Sequence, residues 1–239
     1  MIADRPDARR GGAGESVVEQ QLHDDPHARR AISERRFDVV AVAASVGGIH
    51  ALSVLLGVLG SDLPVPVLVV QHLDPRHPTI LADILARVTT LEVKLADDAE
   101  PAAAGTVYLA PPDHHLMVGA GGMLALSTSE RVHFLRPSAD LLFESVARIY
   151  RRRAIACVLT GTGGDGAAGV SAVKSQGGTV IAQDPRTAKS AGMPQAAVAT
   201  GSVDLVLPLE EIGAAIRGLV RTGTDTRPAC AVPATGTGP

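Results

Sequence analysis

The chain has 239 residues, a formal net charge of −3 and 46% hydrophobic residues, of which few are aromatic. That balance fits one globular domain with a substantial core, and the lack of a basic excess and of stacking aromatics argues against a nucleic-acid binder. Two cysteines without metal-type spacing exclude a disulfide framework, and no apolar run approaches the roughly 18 residues that span a bilayer, so a cytoplasmic protein with no membrane insertion is expected.

Residues 1–36 carry seven acidic residues against seven arginines and few large apolar side chains. Such a composition buries too little surface to offset ordering entropy, so a disordered tail is expected there. The start, Met1-Ile2-Ala3-Asp4-Arg5-Pro6, lacks the apolar stretch of a signal peptide. A first strand over 38–44 leads to Ser45 and the glycines Gly47 and Gly48, and then to a helical stripe at Ile49, Leu52, Leu56 and Leu59. The run Val65–Gln71 ends at His72, and Pro78 is followed by Ile80, Leu81, Ile84, Leu85 and Val88 at helical spacing. Two βα units are thereby predicted in succession.

Between 91 and 127 the pattern changes. Alternating Leu91, Val93 and Leu95, then Val107–Ala110, Leu116–Val118 and Met123–Leu126, separated by Pro111-Pro112 and Gly119–Gly122, predict an antiparallel hairpin insertion. Ser138 is the expected N-cap of a helix with Leu142, Val146 and Ile149 on its buried face. A strand over 154–160, the loop Gly161-Thr162-Gly163-Gly164-Asp165-Gly166, a helix to Gln176, strands at 178–183 and 203–207 and a helix at 209–220 complete the order. The Arg151-Arg152-Arg153 run reads as a solvated helix end. The elements predict a single α/β domain over 37–221, a doubly wound and mostly parallel sheet flanked by helices, with a flexible tail over 222–239.

In such a sheet the crevice outside the carboxyl ends of the strands collects functional side chains. Ser45, His72 and Asp165 all leave strands at that edge. A serine nucleophile, an imidazole base and a carboxylate that fixes the imidazole tautomer form a hydrolytic set, and chain order does not discriminate among such sets. The glycines after Ser45 allow a sharp turn and free amide groups for an oxyanion. A competing pattern is present: residues 161–166 match G-x-G-x-x-G after a strand and before a helix, with Asp184 downstream, so a nucleotide-binding module remains open. Metal sets from His72, Asp74 and His77, or from Asp113, His114 and His115, lack a recognised ligand spacing. His50 and His133 have only surface or packing readings.

The segments Ala44-Ser45-Val46-Gly47-Gly48, Gln71-His72, Tyr108–His115, Arg136–Phe143, Leu159–Gly169, Ala182-Gln183-Asp184 and Gly192-Met193-Pro194 occur in an order that resembles the catalytic domain of CheB-type chemoreceptor methylesterases. The resemblance runs over about residues 38–217. It implies Ser45 as nucleophile, His72 as general base and Asp165 as orienting carboxylate, with no cofactor and no metal. It further implies demethylation of glutamate methyl esters on the signalling helices of a methyl-accepting receptor, with methanol released and glutamine deamidation as an added activity of some members. The oxyanion is expected near Val46, Gly47 and Thr162, and Arg136 either shapes the cleft, meets acidic receptor side chains or satisfies loop carbonyls. Family members often have a hydroxyl residue after the nucleophile and a methionine in the glycine loop; this chain has Val46 and Thr162. They also typically carry a phosphorylatable receiver domain. Residues 1–36 are expected not to form one, which leaves continuous activity or control by a separate regulatory protein. A non-catalytic receptor-binding protein on the same scaffold is the third reading.

Overall fold

A computed structural model describes residues 37–73 and 79–222; of the expected tails at 1–36 and 222–239 only Thr222 is described, as the last residue of a helix, and Asp74 and His77 of one metal set also lie outside the described residues. The elements in chain order are β1 (Val39–Ala44), α1 (Gly48–Leu59), β2 (Val67–Gln71), α2 (Leu81–Ala86), β3 (Glu92–Leu95), β4 (Thr106–Leu109), β5 (His115–Val118), β6 (Leu124–Ser127), α3 (Ala139–Tyr150), β7 (Ala154–Val158), α4 (Ala167–Ser175), β8 (Thr179–Gln183), α5 (Gly192–Ala199), β9 (Leu205–Leu207) and α6 (Leu209–Thr222).

Seven strands form one sheet in the order β3-β4-β2-β1-β7-β8-β9, and every pairing within it is parallel. A sheet covered on both faces needs strands that are apolar throughout, and β1 meets that demand with all six residues buried. Its side chains alternate between two cores. Val40, Val42 and Ala44 join Leu52, Leu55, Leu56 and Leu59 of α1 and Ile212 and Ile216 of α6. Val39, Ala41 and Ala43 join Leu142, Phe143 and Val146 of α3 and Val170 and Val173 of α4 on the opposite face.

The expected hairpin insertion is only partly present. β5 and β6 do form a separate antiparallel pair, with Leu116, Val118 and Leu124 tucked under α3, where the Val118 amide donates to Ser145 Oγ at 3.0 Å. The segments at 92–95 and 106–109, expected to belong to that insertion, instead extend the parallel sheet as β3 and β4. Period-two alternation identifies a strand but not its partner or direction: β4 is buried throughout, whereas β3, at the sheet edge, is exposed at Glu92 and half-buried from Val93 to Leu95. Two helical stripes are also narrower than expected: Ile49, Ile80 and Val88 are exposed, while Leu52, Leu56, Leu81 and Leu85 carry the packing.

Candidate active site

Strands β2 and β7 flank β1, and the chain leaves them in opposite directions, β1 through α1 to β2 and β7 through α4 to β8. The carboxyl ends of β1 and β7 therefore form a topological switch point, where neighbouring loops splay apart and open a crevice. Backbone pairing continues beyond the strands: the Ser45 amide donates to the Thr160 carbonyl at 3.0 Å and the His72 amide to the Ala44 carbonyl at 3.1 Å. The Gln71 carboxamide nitrogen ties two of these ends together, donating to the carbonyls of Ser45 (2.9 Å) and His72 (3.0 Å). Thr160 locks the third, its hydroxyl donating to the Val46 carbonyl at 2.9 Å and its amide to Gln183 Oε1 at 2.9 Å.

The turn after Ser45 is specified sterically. Gly47 has φ +84°, a conformation that costs most side chains energy, and a Cβ at Gly48 would lie 1.9 Å from Gln71 Oε1. At Gly161 a Cβ would come within 2.8 Å of Ser45 Cβ and 2.2 Å of Met193 Sδ. The serine therefore sits on a backbone pressed between two loops. The Ser45 amide is occupied by Thr160, and the Gly48 amide donates to the Ser45 carbonyl at 2.8 Å. Among the described residues the amides of Val46 and Gly47, ahead of the twelve-residue helix α1, have no hydrogen-bond acceptor.

His72 Nε2 lies 2.9 Å from Asp165 Oδ2, with only 9% and 1% of the two side chains exposed. An ionised carboxylate only accepts, so Nε2 carries the hydrogen and the neutral ring keeps its lone pair on Nδ1. Asp165 is itself held by the start of α3. It accepts from Ser138 Oγ (2.9 Å), the Ala139 amide (2.7 Å) and the Asp140 amide (3.1 Å). Burial is the largest single influence and pushes its pKa up, but the hydrogen bonds from His72, Ala139 and Asp140 together outweigh burial and hold it below the ordinary carboxylate value.

Ser138 occupies the expected N-cap position of α3 with extended backbone, yet its hydroxyl does not cap the helix. Asp165 supplies the capping oxygens from the loop after β7. The arrangement is reciprocal, because Asp140, in the first turn of α3, accepts from the Gly169 amide of α4 at 2.8 Å. His115, at the start of β5, completes the support: its Nδ1 accepts from the Ser138 amide at 3.1 Å, and its Nε2 donates to the Glu130 carbonyl at 3.1 Å. Burial pushes the His115 pKa below the ordinary histidine value.

Ser45 and His72 share a cleft of about 1000 Å³, whose wall also includes Val46, Gly47, Gln71 and Lys189. Thr162 lies exposed in the glycine loop and does not line this cleft. Arg136 stands beyond His72 and is consumed by two loops: Nε and Nη2 reach Asp113 between β4 and β5 at 3.0 and 2.9 Å, and Nη1 reaches the Ser129 carbonyl of its own loop at 2.8 Å. Of the roles expected for Arg136, the geometry matches the satisfaction of loop groups. Sequence patterns did not single out Gln71, Thr160, Ser138 or His115 as supports of the site. Their signal lies in long-range contacts with the strand ends.

The nucleotide-binding alternative meets two obstacles. Asp140 already accepts from an amide in the first turn of α4, the place a pyrophosphate would need, and Asp184 is engaged by Arg186 through Nε (3.0 Å) and Nη2 (2.6 Å). Asp113, His114 and His115 do not converge on a common point: Asp113 faces Arg136, His114 Nδ1 meets the Pro112 carbonyl, and His115 bonds to Ser138 and Glu130.

Comparison with known proteins agrees with this geometry. The family described as CheB methylesterase matches residues 40–216. A relative from Leptospira interrogans serogroup Icterohaemorrhagiae serovar copenhageni is 38% identical over 176 residues, covering 74% of this chain and 91% of the relative. "Protein-glutamate methylesterase/protein-glutamine glutaminase 2" of Anaeromyxobacter dehalogenans is 44% identical over 186 residues, and its namesake from Caulobacter vibrioides 40% over 189. The matches cover 78% and 77% of this chain and 54% of each relative, so the chain spans about half the length of those two proteins. The crystal structure of the Thermotoga maritima CheB methylesterase catalytic domain superposes with a TM-score of 0.74 at 37% identity, covering 78% of this chain and all of the other. The chain belongs to the CheB methylesterase family.

Proposed function

We propose that residues 37–221 form a serine hydrolase that demethylates glutamate methyl esters on a methyl-accepting chemoreceptor in the cytoplasm. The observation that carries this reading is the 2.9 Å contact of His72 Nε2 with the buried Asp165, which leaves Nδ1 as the basic nitrogen of a ring that lines the same cleft as Ser45. Ser45 Oγ attacks the ester carbonyl while His72 Nδ1 takes its proton, and Asp165 stabilises the imidazolium through Nε2–H. The negative charge developing on the carbonyl oxygen is met by the Val46 and Gly47 amides, which line the cleft and have no other acceptor among the described residues. His72 then protonates the departing methoxide, methanol leaves, and water hydrolyses the acyl-enzyme with His72 again as base.

No hydrogen bond joins Ser45 Oγ to His72 among the described residues, as is common before substrate tightens a catalytic site. The side chain at position 46 is valine, so the oxyanion contacts in this reading are main-chain ones, and Thr162 has no part in them. The relatives' names include glutaminase, and the same centre serves a glutamine carboxamide if His72 protonates the departing amide nitrogen, so that ammonia leaves in place of methanol.

The test is steady-state hydrolysis of a methylated chemoreceptor fragment by wild type, Ser45→Ala and His72→Ala. Each substitution lowers kcat by about a thousandfold or more. Wild-type rates of methanol release in Ser45→Ala contradict the assignment.

A further inference from the structure

Between β6 and α3 the chain reverses through two residues. Val132 and Leu135 exchange backbone hydrogen bonds of 3.1 and 2.8 Å, and His133 and Phe134 between them have φ +49° and +64°. Consecutive positive φ values belong to a type of tight hairpin turn that asparagine and glycine occupy most readily, so histidine and phenylalanine hold it under strain. The result is to raise one ring clear of the surface. Phe134 is 94% exposed, whereas the chain's other two phenylalanines, Phe37 and Phe143, are buried.

This exposure is not a product of slack chain. Arg136 ties the base of the turn to Asp113 and to the Ser129 carbonyl. Beside the ring lies a depression of about 110 Å³, whose wall includes Arg131, Leu135, His72 and Leu73. His72 and Leu73 also line the Ser45 cleft, so the turn continues the surface on which a substrate would rest. The depression carries positive charge in excess, because the single carboxylate of Asp113 faces both Arg136 at 2.9 Å and Arg131 at 3.5 Å, and Arg131 is half exposed.

A fitting occupant presents an apolar side chain flanked by carboxylates. A helix bearing several glutamates, of which those already demethylated are negatively charged, has that chemistry. On such a helix, residues three or four apart lie on one face, one turn along from each other. We propose that Phe134 and Arg131 are a docking element for the substrate helix: the ring packs on an apolar residue in a turn neighbouring the ester at Ser45, and Arg131 meets an adjacent carboxylate. The inference rests on the methylesterase reading and adds a specificity surface to it. An unfilled exposed ring beside a fixed positive charge gains from burial only when such a partner arrives.

The test compares Phe134→Asn, which removes the ring while suiting the positive φ, and Phe134→Tyr, which retains it. Methanol release from a methylated chemoreceptor fragment and hydrolysis of p-nitrophenyl acetate are measured with the full chain. Phe134→Asn should raise KM for the fragment by about tenfold, with kcat for the fragment and turnover of the small ester changing by less than about twofold. Phe134→Tyr should stay near wild type. An unchanged KM in Phe134→Asn, or an equal loss on the small ester, overturns the docking role while leaving the methylesterase reading intact. If wild type releases no methanol from the fragment yet hydrolyses the small ester, the methylesterase reading itself is overturned, and the docking role with it.

Discussion

Asp165 accepts hydrogen bonds from His72, Ser138, Ala139 and Asp140, and each of the four constrains it differently. The two amides belong to the first turn of α3, where unpaired donors and the helix dipole favour an anion. The carboxylate therefore both caps a helix and orients the imidazole. Asp165→Asn should lower kcat by about 10³ to 10⁴, because the amide no longer enforces the Nε2–H tautomer. Reduced hydrogen bonding to the buried amides should also cost about 2–4 kcal/mol in urea unfolding. A variant with wild-type kcat would show that His72 needs no orienting carboxylate.

Acid sensitivity follows from the same support. The His115 pKa is lowered by burial, so its contribution to stability is complete above the ordinary value of 6.5 and is lost as pH falls from there toward the lowered folded value, the unfolded chain taking the proton first. Protonation of Nδ1 would also break its bond to the Ser138 amide. Asp165, whose pKa is lowered, adds a second loss at more acid pH: its stabilisation is present above 3.8 and disappears as pH falls through its folded value. Asp140 acts oppositely, since burial raises its pKa and its proton is bound more tightly in the folded state. His115→Gln retains an acceptor and a donor without a titrating group. Urea unfolding at pH 7 and pH 5 should show a smaller acid loss in His115→Gln than in wild type; an equal loss would assign the effect to another group.

Ser45, His72 and Asp165 were legible in the sequence because each follows an apolar run and a strand end is a local feature. The support around them was not. Ser138 was correctly placed at the start of α3, but a capping residue type does not say whose oxygen reaches the amides, and here the oxygen comes from Asp165, 27 residues along the chain. His115 was singled out only as part of a metal set, and nothing local pointed to its contact with Ser138.

The two helices that hold Asp165 in place meet closely. A Cβ on Gly169 of α4 would lie 2.6 Å from Phe143 Cβ and 3.1 Å from Asp140 Cα on α3. Gly169→Ala should therefore force the helices apart, costing about 1–3 kcal/mol and lowering kcat through the displaced Asp140 and Asp165. Phe143, fully buried at that contact, should cost about 3–5 kcal/mol when changed to Ala. Thermal and urea unfolding measure both, and unchanged stability in Gly169→Ala would contradict the tight helix contact. The helices themselves were readable from their apolar spacing. The error lay in β3 and β4: alternation announced strands, but residues 96–105 between them gave no sign that the pair would join the main sheet in parallel instead of folding back locally.

Over the whole molecule, the order of alternating strands and helices was enough to predict a doubly wound sheet, and the switch point between β1 and β7 explains why residues over a hundred positions apart converge. No helix among the described residues is long and apolar enough to cross a membrane. The cleft opens at the strand ends, where both Ser45 and His72 line it. Mass spectrometry of a methylated chemoreceptor fragment incubated with wild type and with Ser45→Ala tests this account most directly. Wild type should convert glutamate methyl esters to glutamate, and Ser45→Ala should leave the esters in place. Equal conversion by both proteins, or none by wild type, would contradict it.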